Sequence, residues 1–467
     1  MTLPSYLMCH QREGVLLGLH ERRHLYANDT GTGKTVIGIE LHRAIRKKTL
    51  VVCPLSIIET AWLEDIARFS PDVRAVNLWR VWKKGTKKDD KKKRFVQAII
   101  DNDICIINFE SFSKFRVLFE SCGFEVLMID ESSRVKNPQA QVTKALTKFA
   151  DTVEYCYLFS GTPAPNSQLE YFTQVRMVSD VFTRSFYRFR GLFFYPSGYG
   201  GYTWKLRMDR EKDFKERLAT CSSAVVKEDV LDLPERVDMR REITLSSKEM
   251  TAYNSMLRHL YLQIDREEIT AANAAVKLSK LRQISSGFII GDNKDISELG
   301  TSKLSELKYL LDEIGPKPVV IWTQFQHEAK TIVEELERLG KTVGRVDGTV
   351  SQRIKEDYIS GFKNGTIRYL VAHPRSMGHG QTLINCTDMV YYSLSYSLED
   401  YLQSRDRIYR YGQKNTCSYY YLIAQGTVEE AVMKAVARKH DIAQDVIDYI
   451  KNYGGSYGRQ NVQRAVA

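Results

Sequence analysis

Short, continuously apolar runs alternate along this chain with longer segments whose apolar residues recur at helical spacing. One series of runs covers residues 50–53, 104–108, 126–129 and 155–159, and a second covers residues 319–323, 343–346, 369–372, 389–393 and 419–423. Strands that are apolar on both faces belong in parallel sheets covered by helices. Segments 35–48 and 327–339 have the helical pattern. The chain is therefore predicted to be an α/β protein with two doubly wound parallel-sheet lobes.

The region between the two series has a different pattern and sets the predicted domain limits. We expect a first lobe over residues 1–165, a protrusion of that lobe over 166–240, a helical protrusion or linker over 241–300, a second lobe over 301–450 and a tail over 451–467. Within the first protrusion, the aromatic and glycine-rich sequence LFFYPSGYGGYTWKL at 192–206 is a candidate β-hairpin, because the turn-forming residues 196–201 separate two β-prone segments.

Composition and charge limit the class of protein. The 467 residues are 43% hydrophobic and 27% charged, as in globular proteins of two or three domains. The net charge of +11 suits a polyanionic partner. The eight cysteines include no CxxC pair, which favours reduced thiols in a cytoplasm over zinc or disulfides. No apolar stretch reaches the roughly 18 residues that span a bilayer, so we expect neither a secreted nor a membrane protein.

A glycine-rich loop is the first candidate for chemistry. Gly31-Thr32-Gly33-Lys34-Thr35 follows a short apolar segment and opens the helical segment 35–48. Backbone N–H groups of such a loop surround phosphate oxygens, Lys34 adds a positive charge, and the Thr35 hydroxyl can bind Mg²⁺. The strict phosphate-loop pattern has glycine at position 28, where this chain has asparagine. An ordinary glycine-rich turn before a helix is the alternative.

Two further candidates follow apolar strands. Asp130 and Glu131 come directly after the run 126–129, where one carboxylate can hold Mg²⁺ through water and its neighbour can deprotonate the attacking water. The sequence SGTP at 160–163 follows the run 155–159. Its hydroxyls could link a nucleotide site to movements of the second lobe, whereas an ordinary turn is the alternative.

Near the C-terminus, Arg407 and Arg410 are three residues apart and are expected on one face of a helix. Two guanidinium groups directed at a γ-phosphate from the second lobe would act as arginine fingers. A solvated basic helix is the alternative.

Together these motifs resemble those of superfamily 2 helicases and, among them, the Swi/Snf-type DNA-dependent ATPases, over residues 7 to 440. The resemblance rests on LMCHQREGV (7–15), VVCPLSIIETAWLEDIARF (51–69), VKEDVLDLPE (226–235), KLSKLRQISSGF (277–288), VVIWTQF (319–325) and GHGQTL (378–383), besides the motifs above. It implies nucleotide contacts from Gln11, Thr30, Gly31, Thr32, Gly33, Lys34, Thr35, Gly380 and Gln403. It implies catalytic roles for Lys34, Asp130, Glu131, Arg407 and Arg410, Mg²⁺ ligation by Thr35 and Asp130, and DNA contacts from Pro54, Ser56, Asn108, Gln324 and Arg375.

The resemblance also implies a function. It indicates a monomeric ATP- and Mg²⁺-dependent motor on duplex, forked or branched DNA, in a compact form typical of phage and bacteria, hence in the bacterial host cytoplasm if phage-encoded. Similarity to phage recombination helicases favours remodelling of branched DNA in replication, recombination or repair. A pure duplex translocase that displaces bound proteins, and a scaffold with a vestigial ATPase, are the alternatives. The chain departs from the family at Ser132 and Ser133, which replace the residues that usually couple hydrolysis to the SGTP motif.

Two remaining segments have both a functional and a structural interpretation. In the candidate hairpin, Tyr199, Tyr202 and Trp204 could stack on an unpaired base and separate strands, or could form a small local core. The lysine-rich run at 83–94 is expected to be a solvated loop, with non-specific contact to DNA phosphates as the alternative.

Overall fold

The computed structural model describes residues 3–84, 88–197, 203–265, 271–291, 293–378 and 380–466. Two compact units make up the chain: Met1–Asp232 together with Lys439–Ala467, and Leu233–Arg438. Each unit is built on one parallel sheet, so the predicted α/β class with two parallel-sheet lobes is confirmed. None of the helices in these described ranges is long and apolar enough to cross a membrane.

The first unit contains a seven-stranded sheet, in which every described strand pair is parallel. Its strands are β1 (Arg23–Asn28), β2 (Thr49–Cys53), β3 (Ala75–Asn77), β4 (Ile104–Asn108), β5 (Val126–Asp130), β6 (Tyr155–Phe159) and, after a separate hairpin of β7 (Phe194–Ser197) and β8 (Thr203–Leu206), β9 (Ser222–Val225). The order across the sheet is β3-β4-β2-β5-β6-β1-β9.

Helices cover both faces of this sheet, as the continuous apolar runs predict. Leu50 and Leu127 point into the core on one face, and their chain neighbours Val51 and Met128 point into the core on the other. The helices are α1 (Cys9–Glu21), α2 (Lys34–Ile45), α3 (Glu64–Phe69), α4 (Leu78–Lys83), α5 (Lys88–Asp101), α6 (Phe109–Glu120), α7 (Gln141–Ala150), α8 (Tyr171–Val178), α9 (Phe186–Phe193), α10 (Glu211–Thr220) and α11 (Lys227–Val230).

The second unit contains a six-stranded parallel sheet. Its strands are β10 (Arg236–Ile243), β13 (Val319–Trp322), β14 (Val343–Val346), β15 (Tyr369–Ala372), β16 (Asp388–Tyr391) and β17 (Cys417–Ala424), in the order β10-β17-β16-β13-β15-β14, and β11 (Phe288–Ile290) pairs with β12 (Ile296–Glu298) in a small antiparallel sheet. Its helices are α12 (Ser247–Asp265), α13 (Ala271–Ser285), α14 (Ser302–Ile314), α15 (Gln326–Arg338), α16 (Gln352–Lys363), α17 (Leu398–Arg405) and the start of α18 (Val428–Val466).

Two boundaries differ from the sequence-based expectation. The expected limit at residue 240 falls inside strand β10, whose eight residues all pair with β17 in the second sheet. The alternating polar pattern of Arg236–Ile243 hides this edge strand from a search for continuous apolar runs. The tail also differs, because residues from Lys439 onward belong to the first unit, where Val446 and Ile450 are buried in its core.

Candidate functional site

The glycine-rich loop joins β1 to α2 in the first unit. Gly31 and Gly33 have φ values of 89° and 83°, which only glycine adopts without strain. The Lys34 ammonium group donates hydrogen bonds to the backbone carbonyl oxygens of Asn28, at 2.9 Å, and Asp29, at 3.0 Å. The loop therefore has an ordered conformation, with a cation at the N-terminus of α2, where backbone N–H groups favour anions.

The start of α1 is attached to this loop by two side chains. Gln11 and His10 both contact the carbonyl oxygen of Thr32, at 3.3 Å from Gln11 Nε2 and 2.8 Å from His10 Nε2. Gln11 Oε1 accepts a hydrogen bond from the Met8 amide, so both ends of its amide are engaged. A Cβ atom at Gly33 would lie 2.2 Å from Gln11 Nε2. The structure thus places Gln11 against the loop, together with His10, which was not predicted from the sequence. The nucleotide contact of Gln11 stays a prediction.

The carboxylates Asp130 and Glu131 lie at the carboxyl end of β5. Asp130 is buried, and burial together with the Glu131 charge raises its pKa to about 6, whereas the charge of Lys34 acts in the opposite direction. Glu131 has a φ of 56°, a left-handed conformation that is strained for a residue with a side chain. The two carboxylates and the phosphate-loop lysine therefore belong to one electrostatic site.

A tryptophan completes this cluster. The indole N–H of Trp62, a fully buried side chain, donates a 3.0 Å hydrogen bond to Asp130 Oδ2. Trp62 lies in the π-helical turn Ile58–Leu63, and Gly38 of α2 lets the ring approach, since a Cβ there would lie 2.8 Å from it. The sequence analysis missed this residue, although it lies within the segment 51–69 that carries the family resemblance.

The candidate DNA-contacting residues lie after neighbouring strands in each unit. In the first unit, Pro54 and Ser56 follow β2 and Asn108 ends β4, and Cys53 and Asn108 are register partners. Ser56 is exposed, but Asn108 is buried and donates to Glu110 Oε2 at 2.6 Å. In the second unit, Gln324 follows β13, and the exposed Arg375, which donates to Asp400, follows the adjacent strand β15. Their contact with DNA stays a prediction.

Arg407 and Arg410 both contact the loop at residues 378–383 of the second unit. Arg407 is 2% exposed and donates to the carbonyl oxygens of Gly378 and, at 3.1 Å, Gln381. Arg410 donates to the Thr382 hydroxyl at 3.1 Å and approaches the Gly380 carbonyl oxygen at 3.5 Å. The helical placement predicted for the pair is wrong, because α17 ends at Arg405 and both arginines lie in the turns that follow. Gln403 is in the helix.

The candidate hairpin is present as β7 and β8, with Phe194 opposite Leu206 and Ser197 opposite Thr203. Tyr199 and Tyr202 lie outside the described residues. Trp204 packs against the first unit's core, and the Arg190 guanidinium lies over its ring, 4.0 Å from the centroid. One ring face is therefore covered by a cation, which favours a packing role for Trp204 over base stacking.

Comparisons with known proteins identify two family domains in the chain. Residues 10–287 match the model of the SNF2-related domain, and residues 302–412 match that of the helicase conserved C-terminal domain. The putative protein p41 of Acyrthosiphon pisum secondary endosymbiont phage 1 is 24% identical over 449 residues, covering 90% of this chain and 93% of that protein.

Other relatives are longer. A SWI/SNF-related matrix-associated actin-dependent regulator of chromatin subfamily A-like protein 1 homolog from Caenorhabditis elegans is 24% identical over 95% of this chain, which spans 62% of that protein. An uncharacterized ATP-dependent helicase from Mycoplasma pneumoniae is 23% identical over 97% of this chain, which spans 43% of it. Among solved structures, the Sulfolobus solfataricus SWI2/SNF2 ATPase core in complex with dsDNA matches with a TM-score of 0.43 and 22% identity, over 95% of this chain and 93% of that one.

Proposed function

The chain belongs to the SNF2-related family of DNA-dependent ATPases and helicases, and we propose that it uses ATP and Mg²⁺ to move along DNA. The observation that supports this most directly is the cluster formed by Lys34, Asp130 and Glu131. It combines a cation at a helix N-terminus with a buried carboxylate whose pKa responds to that cation. These are the groups that phosphoryl transfer to water requires.

Each candidate catalytic residue has a separate role in the proposed hydrolysis. Lys34 exchanges its two carbonyl partners for phosphate oxygens, and Gln11 holds the loop against α1. Asp130, with the Thr35 hydroxyl in the first turn of α2, provides the hard oxygen ligands that suit Mg²⁺, and a bound Mg²⁺ would neutralise phosphate charge. Glu131 orients and deprotonates the attacking water. Arg407 and Arg410 stabilise the charge that develops on the γ-phosphate.

The test is ATP hydrolysis measured without DNA and with single-stranded, duplex, forked and four-way DNA side by side. We expect stimulation by DNA, none in Lys34→Ala, and ATP binding without turnover in Glu131→Gln. Near-normal turnover in Glu131→Gln would mean that the base is a different residue. If none of the four DNA forms stimulates ATP hydrolysis, the proposal itself is wrong.

We further propose that branched DNA is the preferred substrate, with a hairpin that holds strands apart. The support is the antiparallel pair β7–β8, a two-stranded element separate from the main sheet, whose strands flank an aromatic and glycine-rich sequence. Deleting residues 196–201 should abolish unwinding or branch migration and leave most of the DNA-stimulated ATPase. A full-length control with serine at Tyr199 and Tyr202 separates aromatic stacking from loop length. Unwinding that survives the deletion would favour a pure duplex translocase.

A further inference from the structure

A buried glutamine joins the catalytic carboxylates to the loop at residues 160–163. Gln174, on α8, is fully buried, and its Oε1 accepts a 2.7 Å hydrogen bond from the hydroxyl of Ser132, which is also fully buried. Its Nε2 donates to the backbone carbonyl oxygens of Pro163, at 2.7 Å, and Glu170, at 3.2 Å. One side chain thus connects the residue after Glu131 with the last residue of the SGTP sequence.

The chemistry of the partners fixes the orientation of this amide. The carbonyl oxygens of Pro163 and Glu170 can only accept hydrogen bonds, so the NH₂ group of Gln174 must face them. Its oxygen is then left to face Ser132, whose hydroxyl must donate. With 0% exposure at both side chains, no water competes for these bonds, and any movement of one partner leaves a buried polar group unsatisfied.

The loop at residues 160–163, the SGTP loop, also approaches Thr30, the residue directly before the glycine-rich loop. A Cβ atom at Gly161 would lie 3.2 Å from Thr30 Oγ1 and 3.3 Å from the Thr30 amide nitrogen. The loop therefore borders the phosphate-binding loop through Gly161 and reaches the carboxylates through Pro163 and Gln174. A displacement of the SGTP loop would therefore change its contacts with both Thr30 and Gln174.

The carboxylate end of this connection is a strained segment. Glu131 is held in a left-handed conformation, and Ser132 begins the 3₁₀ helix Ser132–Val135 directly after it. A strained backbone persists only where its surroundings fix it. The bond from Ser132 to Gln174 is one such restraint, one residue away from the group that we assign as the general base.

We propose that Gln174 is a positioning residue that couples the orientation of Glu131 to the position of the SGTP loop. The proposal rests on the proposed function, since it assigns a route by which DNA binding changes the rate of hydrolysis. The hydrogen bond between Ser132 and Gln174 connects the two segments in this chain, in which Ser132 and Ser133 follow Asp130 and Glu131.

The adjacent residue provides a matched control. Thr173 is also buried on α8, and its hydroxyl donates a 2.6 Å hydrogen bond to the carbonyl oxygen of Val135, in the same 3₁₀ helix, with no bond from its side chain to the SGTP loop. Thr173→Val therefore removes a comparable buried hydrogen bond and leaves the Gln174 connection intact. Ser132→Ala and Gln174→Met break the connection at its two ends with little change in volume.

The experiment measures kcat with and without duplex DNA, and the KM for ATP. It also measures the number of ATP molecules consumed for each third strand that the protein displaces from a DNA triplex, which reports movement along the duplex. In Ser132→Ala we expect the ratio of DNA-stimulated to DNA-free kcat to fall about tenfold, the loss of roughly one buried hydrogen bond. In Gln174→Met, which also loses the bonds to Pro163 and Glu170, the ratio should fall at least as far. KM should change less than about twofold, and more ATP should be consumed per displacement. The double variant should be no worse than Gln174→Met alone, because that substitution already removes the bond that Ser132→Ala removes.

Three outcomes separate the hypotheses. If Thr173→Val keeps the wild-type ratio while the other two lose it, the coupling role is supported. If all three variants keep the ratio, or all three lose it in parallel with their melting temperature, Gln174 is merely structural and the inference is wrong. If the wild-type protein is not stimulated by any DNA, the proposed function is wrong and the inference fails with it. Should Gln174→Met not fold, Ser132→Ala against Thr173→Val gives the same decision.

Discussion

The indole N–H of Trp62 and the carboxylate of Asp130 form a buried 3.0 Å hydrogen bond across 68 residues of sequence. A donor in this position stabilises the ionised form of Asp130, the form that can act on a metal ion. Burial and the neighbouring Glu131 oppose ionisation and together raise the Asp130 pKa to about 6. Trp62 therefore acts against the desolvation of the site without adding a charge.

Replacing Trp62 by phenylalanine removes this donor and keeps most of the ring volume. Because the carboxylate loses a stabilising hydrogen bond, its pKa should rise further, and the acid limb of kcat/KM should move to higher pH by about one unit. The Mg²⁺ concentration for half-maximal ATPase should rise as well. Trp79→Phe, at a tryptophan that instead lies beside Lys83, is the matched control. An unshifted acid limb in Trp62→Phe would contradict this role.

The two arginines after α17 should differ in their effect on stability. Arg407→Ala leaves the partly buried carbonyl oxygens of Gly378 and Gln381 without their guanidinium donor, at a cost of about 1–3 kcal/mol. We expect it to lower both kcat and the melting temperature, the latter by roughly 5 °C. Arg410→Ala should lower kcat strongly with little thermal effect. Both should change kcat far more than nucleotide affinity.

The exposed Arg353 of the same unit provides the control for these two variants. Arg353→Ala should change neither kcat nor melting temperature. Normal ATP hydrolysis in both Arg407→Ala and Arg410→Ala would show that neither arginine acts on the γ-phosphate.

The lysine-rich run is helical where the structure describes it, so the expected loop is wrong for residues 88–94. Lys92, Lys93 and Arg94 are exposed in the second turn of α5. Asn77, which precedes α4, and Arg80 within it contact Glu59, beside the segment that carries Ser56. Exposed basic residues at this position are accessible to DNA phosphates, and their contact with DNA stays a prediction.

Glutamine at Lys91, Lys92, Lys93 and Arg94 should therefore weaken DNA binding and lower the slope of log K against log salt, by up to about 0.9 for each lost phosphate contact. Thermal stability should stay the same or rise. The control replaces Lys144 and Lys148, two exposed lysines of α7. If the slope per charge removed is equal in the two variants, the run is an ordinary solvated surface.

His24 should give the first unit an acid-sensitive stability. It is buried in β1, where desolvation lowers its pKa to about 3, and its Nε2 contacts the Ser223 hydroxyl at 3.0 Å. An unfolded histidine binds its proton near pH 6.5. Between pH 6.5 and 3 the unfolded state therefore holds one more proton, and the free energy of unfolding falls by up to about 1.4 kcal/mol per pH unit as the pH falls.

The measurement is chemical denaturation at a series of pH values. His24→Gln should flatten the pH dependence by about one proton, whatever its effect on absolute stability. His20→Gln, at an exposed histidine, is the matched control. An equal slope in wild type and His24→Gln would place the acid sensitivity elsewhere.

The sheet cores and the cluster of Lys34, Asp130 and Glu131 could be predicted because short stretches of sequence indicate them. Strands 104–108, 155–159 and 369–372 appear with the predicted limits, since each is a short apolar run that is buried on both faces. Strand 343–346 also has the predicted limits, although it lies at a sheet edge and only alternate residues of it are buried. The glycine-rich loop and the carboxylate pair follow from residue order alone. Strand β10 could not be found this way, because it lies at a sheet edge and alternates polar with apolar residues.

The residues that sequence reasoning missed act through distant partners. Trp62, His10 and Gln174 contact residues 68, 22 and 42 positions away, and nothing in their own neighbourhoods indicates those partners. The lysine run was misassigned because a high density of like charge usually indicates a loop, whereas Phe95 and Ile99 bury one face of this segment and hold it as a helix.

The two carbonyl bonds of Lys34 have a calorimetric consequence. A solvent-exposed lysine side chain loses most of its rotamer freedom when it binds a phosphate. Here the ammonium group is already held by Asn28 and Asp29, so binding exchanges one set of partners for another. Nucleotide binding then carries a small ordering entropy at this residue and only the difference between two sets of hydrogen bonds as enthalpy.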